Sequence, residues 1–251
     1  MDQKGIKPGE RLDDLQIKGY QVLQKTDGFC FGMDAVLLSD YARIRKNAVV
    51  MDLCSGTGVI PILLEAKYPL ESVTGLEIQE SYVEMAERSI AMNGQEKKIR
   101  MVQGDVREVR NTYPQDSFDY VTCNPPYVTG DHGLTNLSYD IAVARHEILC
   151  SLEDVVRASA WLLKHGGHLV MVHRPYRLAE IIYTLKQYKL EPKRMRLVCP
   201  YWDKEPNMVL IDAVKGGRQR IAVDPPLVVY HKDGSYTEEI YRIYGMDGTK
   251  A

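Results

Sequence analysis

From about residue 48 onward, short apolar runs alternate with stretches in which apolar residues recur at helical spacing. The runs AVVMDL, SVTGLEI, IRMVQGD and FDYVTC, which start at residues 48, 72, 99 and 118, predict strands. IPILLEAKY and SYVEMAERSIAMN, which lie between the first three of them, predict helices. Strands that alternate with helices indicate a parallel sheet covered by helices on both faces.

A second set of elements follows the same pattern with one difference. We predict a helix over 151–164, a strand after Gly166 and Gly167, a helix near 176–188, and strands at 194–199 and 207–214. The last two strands have no helix between them, so we expect them to pair antiparallel. The predicted fold is α/β, a doubly wound, mostly parallel Rossmann-like sheet with an antiparallel strand near one edge. Residues 48–216 form the predicted central domain, with short extensions at 1–47 and 217–251.

Composition places the chain among ordinary soluble globular proteins. Of its 251 residues, 45% are hydrophobic and 26% are charged. No apolar run approaches the roughly 20 residues of a membrane helix, and the polar start MDQKGIKPGERLDD lacks a secretory signal. The five cysteines are scattered, which favours reduced thiols over a disulfide framework. We therefore expect a cytoplasmic protein without a membrane partner.

Charge is unevenly distributed along the chain. The net charge of -2 gives no overall sign of nucleic-acid binding, but KQYKLEPKRMR at 186–196 is strongly basic. Such a run is commonly a solvated face, and it matters only if the nearby chemistry uses a polyanion. On that condition, we predict an RNA-binding surface that includes Lys189, Lys193, Arg194 and Arg196. An H-x-x-H at 165–168 spans a Gly-Gly turn with no third ligand nearby, so no metal site is expected.

The first predicted strand runs into a glycine-rich turn, DLCSGTG. Gly56 and Gly58 allow a ligand to approach the backbone closely. A dinucleotide fingerprint needs a third glycine where this chain has Pro61, which argues against NAD or FAD. Asp52 precedes the glycines instead, in a pattern typical of proteins that bind S-adenosylmethionine (SAM), where a polar strand end meets a zwitterionic amino acid.

Acidic residues also end the next two strands. Glu77 is placed to accept hydrogen bonds from both ribose hydroxyls, with Ile78 against the adenine face. Asp105 is placed to accept from the adenine amine, with Val106 beside it. Each acid alone is as well explained as a helix cap. Three of them at one edge of a parallel sheet favour a cofactor site.

The fourth strand ends in NPPY, residues 124–127, which resembles the active-site motif of amino methyltransferases. The Asn124 side-chain oxygen and the Pro125 carbonyl would accept the two hydrogens of a planar amine and stabilise the positive charge that develops during methyl transfer. Pro125 and Pro126 stiffen the loop and lack N–H groups. Tyr127 would stack on the planar target.

Together, DLCSGTG, LE, GDV and NPPY make residues 30 to 215 resemble class I SAM-dependent N-methyltransferases. QKTDGFCFGMDAVLLSDY and the tail PPLVVYHKDGSYTEEIYRIYG resemble the bacterial family that methylates N6 of the adenine beside the anticodon of valine tRNA. That resemblance implies SAM as cofactor and tRNA as partner. It also implies that the helix of the N-terminal extension covers the cofactor. Phe31 and Asp34 would then lie near the methionine end of SAM.

Alternative functions remain open from the sequence. A HemK-like glutamine methyltransferase shares NPPY, but the 47 residues before the fold leave little room for the helical domain of such enzymes. A DNA adenine methyltransferase would often carry an inserted recognition domain, and none is obvious. A non-catalytic scaffold for SAM or RNA would have no need of Asn124. We expect a monomer or a weak dimer.

Overall fold

A computed structural model describes residues 5–26, 31–125 and 150–246. Within these residues the strands are Glu10–Asp14 (β1), Gln21–Lys25 (β2), Val49–Leu53 (β3), Ser72–Glu77 (β4), Ile99–Gln103 (β5), Phe118–Cys123 (β6), Leu163–His173 (β7), Leu190–Cys199 (β8), Met208–Lys215 (β9), Ala222–Val223 (β10) and Leu227–Val228 (β11). The helices are Met33–Tyr41 (α1), Val59–Lys67 (α2), Glu80–Met92 (α3), Val109–Thr112 (α4), Leu152–Leu162 (α5), Leu178–Gln187 (α6) and Glu238–Tyr244 (α7). Short 3-10 turns occupy Val106–Glu108 and Pro175–Arg177.

The central sheet has the strand order β10-β8-β9-β7-β6-β3-β4-β5. Strands β3 to β7 pair in parallel wherever they are neighbours, whereas β9 pairs antiparallel with both β7 and β8. This confirms the predicted α/β fold and its reversed strand. That strand lies between β7 and β8 because the β8–β9 hairpin returns the chain beside β7.

Helices cover both faces of the sheet with separate apolar clusters. One cluster joins residues of α1, α2, α3 and α7 to one sheet face. The other joins residues of α4, α5 and α6 to the opposite face. Neighbouring residues of β3 divide between them, with Val50 in the first and Met51 in the second, because alternate side chains of a strand point to opposite faces.

The hairpin β1–β2 is attached to α3 by side chains rather than by a further strand. Ser89 Oγ accepts from the backbone N–H of Leu23 at 3.0 Å, and the Asn93 amide exchanges two hydrogen bonds with the Gln21 backbone. Arg88 forms an ion pair with Glu10 of β1. These contacts satisfy backbone groups along the outer edge of β2, which would otherwise be open to pairing. They fix the chain that leads toward α1.

The C-terminal segment packs on the same body through β8 and α1. β11 pairs in parallel with the end of β8, and Ile240 and Ile243 of α7 are buried in the first apolar cluster. The rings of Tyr230 and Tyr236 stack at a centroid distance of 5.3 Å, and Tyr236 also stacks on Tyr244. Tyrosines of the tail are therefore used in packing.

Two members of the predicted RNA-binding surface have structural roles instead. The Arg194 guanidinium lies 3.9 Å from the centroid of the Tyr41 ring, with only 13% of its side chain exposed and two acids about 4 Å away. Arg196 forms a bidentate pair with Glu239 of α7 at 2.7 and 2.8 Å. Their charges are neutralised inside the fold, so the basic surface predicted from residues 186–196 is wrong for these two arginines.

The pairing of Arg196 with Glu239 gives a first prediction. Arg196→Ala should lower the free energy of unfolding by about 1–3 kcal/mol, because a mostly buried, bidentate, charge-assisted contact is lost. Arg242→Ala is the matched control, since Arg242 is 65% exposed and contacts the same Glu239 at 3.3 Å. That control should change stability by less than about 0.5 kcal/mol. Urea denaturation of both variants measures the difference, and equal effects would contradict the prediction.

Candidate functional site

The turn after β3 has an unusual backbone. Cys54, Gly56 and Gly58 all have positive φ, at 57°, 55° and 79°. A Cβ on Gly58 would also lie 3.0 Å from the Cβ of Ala86 in α3. Glycine at 58 is thus required both by the dihedral and by the close packing of α3. The turn brings backbone N–H groups to the carboxyl edge of the sheet, at the start of α2.

Glu77 holds this turn against the neighbouring strand. Its side chain is 6% exposed, and its two oxygens accept from the backbone N–H groups of Gly56 at 2.9 Å and Gln79 at 3.0 Å. A carboxylate has about four acceptor positions, so capacity remains for donors from a ligand. Ile78, the next residue, is half-buried. The position of Glu77 therefore suits both a structural and a ligand-binding role.

Asp52 is a fully buried carboxyl group at the end of β3. It accepts a hydrogen bond at 2.6 Å from the hydroxyl of Thr122 in β6, and its second oxygen, Oδ2, has no hydrogen-bond partner. Burial raises the pKa of Asp52 to about 7 against the opposing effect of the Thr122 and Ser55 hydroxyls, and the charge of Glu77 adds to the rise. A positively charged ligand group in this region would favour the ionised form.

The structure pairs Asp105 with Arg107. The Asp105 carboxylate accepts from the backbone N–H of Arg107 at 2.8 Å and from its guanidinium, and these hydrogen bonds hold its pKa below the usual range. Asp105 therefore caps the turn that follows β5, as well as lying at the predicted edge. Val106 is 6% exposed and packs in the second apolar cluster. Its side chain contributes to the core, and its contact with a ligand stays a prediction.

Gln24 connects the N-terminal segment to the glycine turn. It is fully buried, its amide donates to the Thr57 hydroxyl, and its oxygen accepts from the backbone N–H of Phe31 at 3.1 Å. Phe31 is half-buried and packs against the first apolar cluster. The N-terminal segment is thereby placed beside the glycine turn.

These parts surround an open cleft, in which the empty space is about 460 Å³ when the adjoining solvent is included. Its lining includes Gln24, Phe31, Gly56, Tyr82 and Asn124. The cleft lies outside the carboxyl ends of β3 and β6, where the strand order of the sheet reverses. Ligands bind at this switch point in open α/β sheets.

Asn124 follows β6 and is held by a residue 90 positions earlier. Its Nδ2 donates to the carboxylate of Asp34 at 2.9 Å, while its Oδ1 is buried with no hydrogen-bond partner. Pro125, the next residue, is buried. Pro126 and Tyr127 lie outside the described residues. The structure thus brings together Phe31, Asp34 and Asn124, from segments that the sequence places far apart.

Several residues in or beside the cleft were not identified from the sequence. Tyr82, Arg107 and Thr122 belong to no motif that we recognised, and Gln24 opens the stretch QKTDGFCFGMDAVLLSDY without having been singled out in it. The only signal for Thr122 is a polar residue within the apolar run FDYVTC. Gln24 lies near the end of QVLQK, and nothing in that stretch indicates its contact with the glycine turn.

Among the described residues there is neither a cluster of metal ligands nor a membrane-spanning helix. No group of three or more His, Cys, Asp or Glu side chains there is arranged to hold a metal ion. No helix in that part of the chain combines the length and apolar character needed to cross a bilayer.

Comparison with known proteins gives one family. The family model described as "Methyltransferase small domain" matches residues 33–188, more than half of the chain. A relative from Porphyromonas gingivalis named tRNA1(Val) (adenine(37)-N6)-methyltransferase is 24% identical over 92% of this chain and 93% of its own. A relative of the same name from Flavobacterium johnsoniae is 26% identical over 73% of this chain and 77% of its own.

Solved structures agree on the fold. A crystal structure described as a predicted O-methyltransferase from Agrobacterium tumefaciens has a TM-score of 0.69 and 25% identity, covering 85% of this chain and 96% of that one. TrmN from Thermus thermophilus has a TM-score of 0.51 and 21% identity, covering 72% of this chain and 48% of that one. The names of the tRNA-modifying relatives and of the Agrobacterium structure differ in the atom that receives the methyl group, so these names agree only on methyl transfer as the reaction class.

The buried state of Asp52 predicts a pH dependence of stability. The unfolded carboxyl titrates near 4 and the folded one near 7, so between these values the folded protein binds the extra proton. The free energy of unfolding should therefore fall as pH rises from about 4 to 7. Asp52→Asn should flatten this slope. The free energy of unfolding of this variant, relative to that of the wild type, should be highest above pH 7. Urea denaturation of the ligand-free protein between pH 5 and 8 measures it.

Thr122→Val serves as the companion variant. Removing the hydroxyl that donates to Asp52 should extend the falling slope to higher pH, because the ionised carboxylate loses its hydrogen bond. Equal slopes for the wild type and Asp52→Asn would show that Asp52 does not cause the pH dependence.

Proposed function

We propose, because the chain belongs to the methyltransferase small domain family, that it transfers a methyl group from SAM to N6 of an adenine beside the anticodon of a tRNA. SAM is the cofactor of this family. Adenine N6 and tRNA are supported by the names of relatives that cover most of the chain. We place catalysis in residues 48–216 and assign residues 1–47 and 217–251 as extensions of the same unit. We also propose that the protein acts in the cytoplasm.

The observation that carries this proposal is the buried, unpartnered Oδ1 of Asn124 in the cleft. A buried acceptor without a partner costs free energy, so its presence is best explained by a donor that arrives with a ligand. An exocyclic amine provides such a donor. Pro125 supplies a carbonyl next to it in the chain and no competing N–H.

The cofactor side of the cleft fits the same reaction. We assign Gly56 and Gly58 to close backbone contact with SAM, and Glu77 to its ribose hydroxyls. Asp52, with one oxygen unpartnered, is assigned to the positively charged amino-acid part of SAM. When bound, SAM supplies an electrophilic methyl group. Asp105, Val106 and Ile78 are assigned to the adenine end, where Arg107 holds Asp105 in place.

At the target side, Asn124 and Pro125 have one task in the reaction. Their oxygens accept hydrogen bonds from the two N–H groups of the amine and would orient its lone pair toward the methyl group of bound SAM. As the nitrogen becomes positive, these oxygens interact with it more strongly than with the neutral amine. Methyl transfer would leave S-adenosylhomocysteine and a positively charged nitrogen, whose extra proton would pass to solvent, so no strong base is needed before transfer. We assign Tyr127 to stacking on the adenine, and Pro126 to stiffening the loop.

For the tRNA, exposed aromatic residues near the cleft are better candidates than the paired arginines of β8. Trp202 follows β8 and is 80% exposed. β8 runs in the same direction as β6, so both strands end at one edge, about 14 Å apart across three strand spacings. Arg174, after β7, donates to the Asn207 carbonyl of the β8–β9 connection and ties the two loops together. Exposed rings at such an edge suit stacking on unpaired bases.

The first test is transfer of label from methyl-labelled SAM to three separate pools: unmodified tRNA, cellular protein and duplex DNA. N6-methyladenosine in tRNA is the expected product, identified by nucleoside mass spectrometry. Asn124→Ala should reduce kcat on tRNA by about 100-fold or more, because it removes a transition-state acceptor. Its Kd for S-adenosylhomocysteine should change by less than about threefold, because SAM contacts lie on other residues.

Other outcomes of this test contradict the proposal. Label in a protein of release-factor size would indicate a glutamine methyltransferase, and label in DNA a DNA adenine methyltransferase. Binding of S-adenosylhomocysteine without transfer to any pool would indicate a scaffold. Near wild-type activity of Asn124→Ala would show that the amide does not take part in transfer.

A separate prediction concerns Trp202. Trp202→Ala should raise the Kd for tRNA by about tenfold, the equivalent of one lost base stack, with no change in the Kd for S-adenosylhomocysteine. Tyr183→Ala is the matched control, because Tyr183 is 67% exposed but lies in the middle of α6, away from the strand ends. Filter binding at fixed salt measures both. Equal effects of the two variants would contradict a specific role of Trp202.

A further inference from the structure

The two ends of the Asn124 amide have different surroundings. Its Nδ2 donates to Oδ2 of Asp34 at 2.9 Å. Its Oδ1 is buried and has no hydrogen-bond partner. An amide can rotate by 180° and exchange these two ends, so something in the structure has to select this orientation.

Asp34 makes that selection through its charge. An ionised carboxylate only accepts hydrogen bonds, so it stabilises the orientation that presents the NH₂ group. The opposite orientation would place the amide oxygen against a carboxylate oxygen. The selected orientation points Oδ1 away from Asp34, as the proposed contact with an amine requires.

Asp34 is itself held in place by the fold. Its Oδ1 accepts from the backbone N–H of Ala35 at 2.9 Å, in the first turn of α1. Gln24 anchors the Phe31 backbone three residues earlier, and Leu37 and Leu38 of α1 are fully or almost fully buried in the first apolar cluster. The carboxylate thus sits on a fixed helix end rather than on a free surface chain.

We infer that Asp34 is a positioning residue that fixes the orientation of the Asn124 amide for catalysis. This inference rests on the proposed methyl transfer at Asn124. A hydrogen bond from Nδ2 to a carboxylate also polarises the amide and makes Oδ1 a stronger acceptor. This role differs from the cofactor contact that the family resemblance implies for Asp34: the residue acts on kcat, through Asn124, and has little effect on the binding of either substrate.

A four-protein cycle tests this: the wild type, Asp34→Asn, Asn124→Asp, and the double variant. Asp34→Asn should lower kcat about tenfold. An amide at position 34 can present either its oxygen or its NH₂ group to Asn124, so it no longer favours one orientation of the Asn124 amide. Asn124→Asp should lower kcat about 100-fold at neutral pH, because two adjacent carboxylates then compete for one proton.

The double variant restores a donor–acceptor pair with exchanged partners. An NH₂ group at 34 donates to a carboxylate at 124, whose other oxygen faces the amine. If the two substitutions acted independently, the fold-reductions in kcat of the single variants would multiply. We expect the kcat of the double variant to be at least about tenfold higher than that product predicts, which is the signature of direct coupling. The Kd for S-adenosylhomocysteine should stay within about threefold in all four proteins.

Asp40→Asn is the matched control, because Asp40 lies on the same helix and outside the lining of the cleft. It should leave kcat unchanged. A readout independent of turnover is the side-chain amide of Asn124 in ¹⁵N-labelled protein. One Nδ2 proton should resonate downfield in the wild type and lose that shift in Asp34→Asn.

Three results would overturn the inference: independent effects of the two substitutions, a loss of S-adenosylhomocysteine binding that accounts for the Asp34→Asn defect, or an Nδ2 resonance that does not respond to residue 34. Failure of the proposed function gives a different result. If the wild type methylates a protein or DNA instead of tRNA, the cycle is measured on that acceptor. If it methylates none of them, the Nδ2 resonance alone decides the role of Asp34.

Discussion

The register of the central strand β3 is the constraint on which the functional site depends. Asp52 lies between Gly75 of β4 and Thr122 of β6, and Thr122 donates directly to it. A shift of one residue would turn Asp52 to the opposite face and bring Met51 or Leu53 beside Thr122. The buried hydrogen bond between the two strands therefore stabilises the same register that sets the glycine turn beside Glu77. One alignment of three strands thus determines the cofactor side of the cleft.

The parts of the site that could be predicted from sequence are those encoded locally. The glycines and acids lie at strand ends, and their position follows from the strand pattern and the parallel sheet. The contact between Asp34 and Asn124 could not be predicted in this way, since 90 residues separate them and only the packed α1 brings them together. Val106 follows the strand end as expected, but its side chain packs in the second apolar cluster, whereas Arg107 and Glu108 of the same turn are exposed.

The arginines of β8 show why charge along a sequence is a weak guide to a surface. Arg194 and Arg196 are two residues apart on a strand, and both side chains are mostly buried. Tyr41 and Glu239, from the two extensions of the chain, pack against them. Two of the five basic residues in this run are thus paired with acids inside the fold. The positive charge of these two arginines serves to attach the extensions of the chain.

The N-terminal segment joins the two halves of the proposed chemistry. Gln24 of this segment is hydrogen-bonded to Thr57 in the glycine turn, and Asp34 is hydrogen-bonded to Asn124 at the target side. Displacing this segment would therefore disturb the turn and release the Asn124 amide together. Because Ser89 and Asn93 of α3 hold β2 in place, the arrangement is set before any ligand binds. Such preorganisation favours catalysis, since the dipole facing the developing charge need not be reoriented during the reaction.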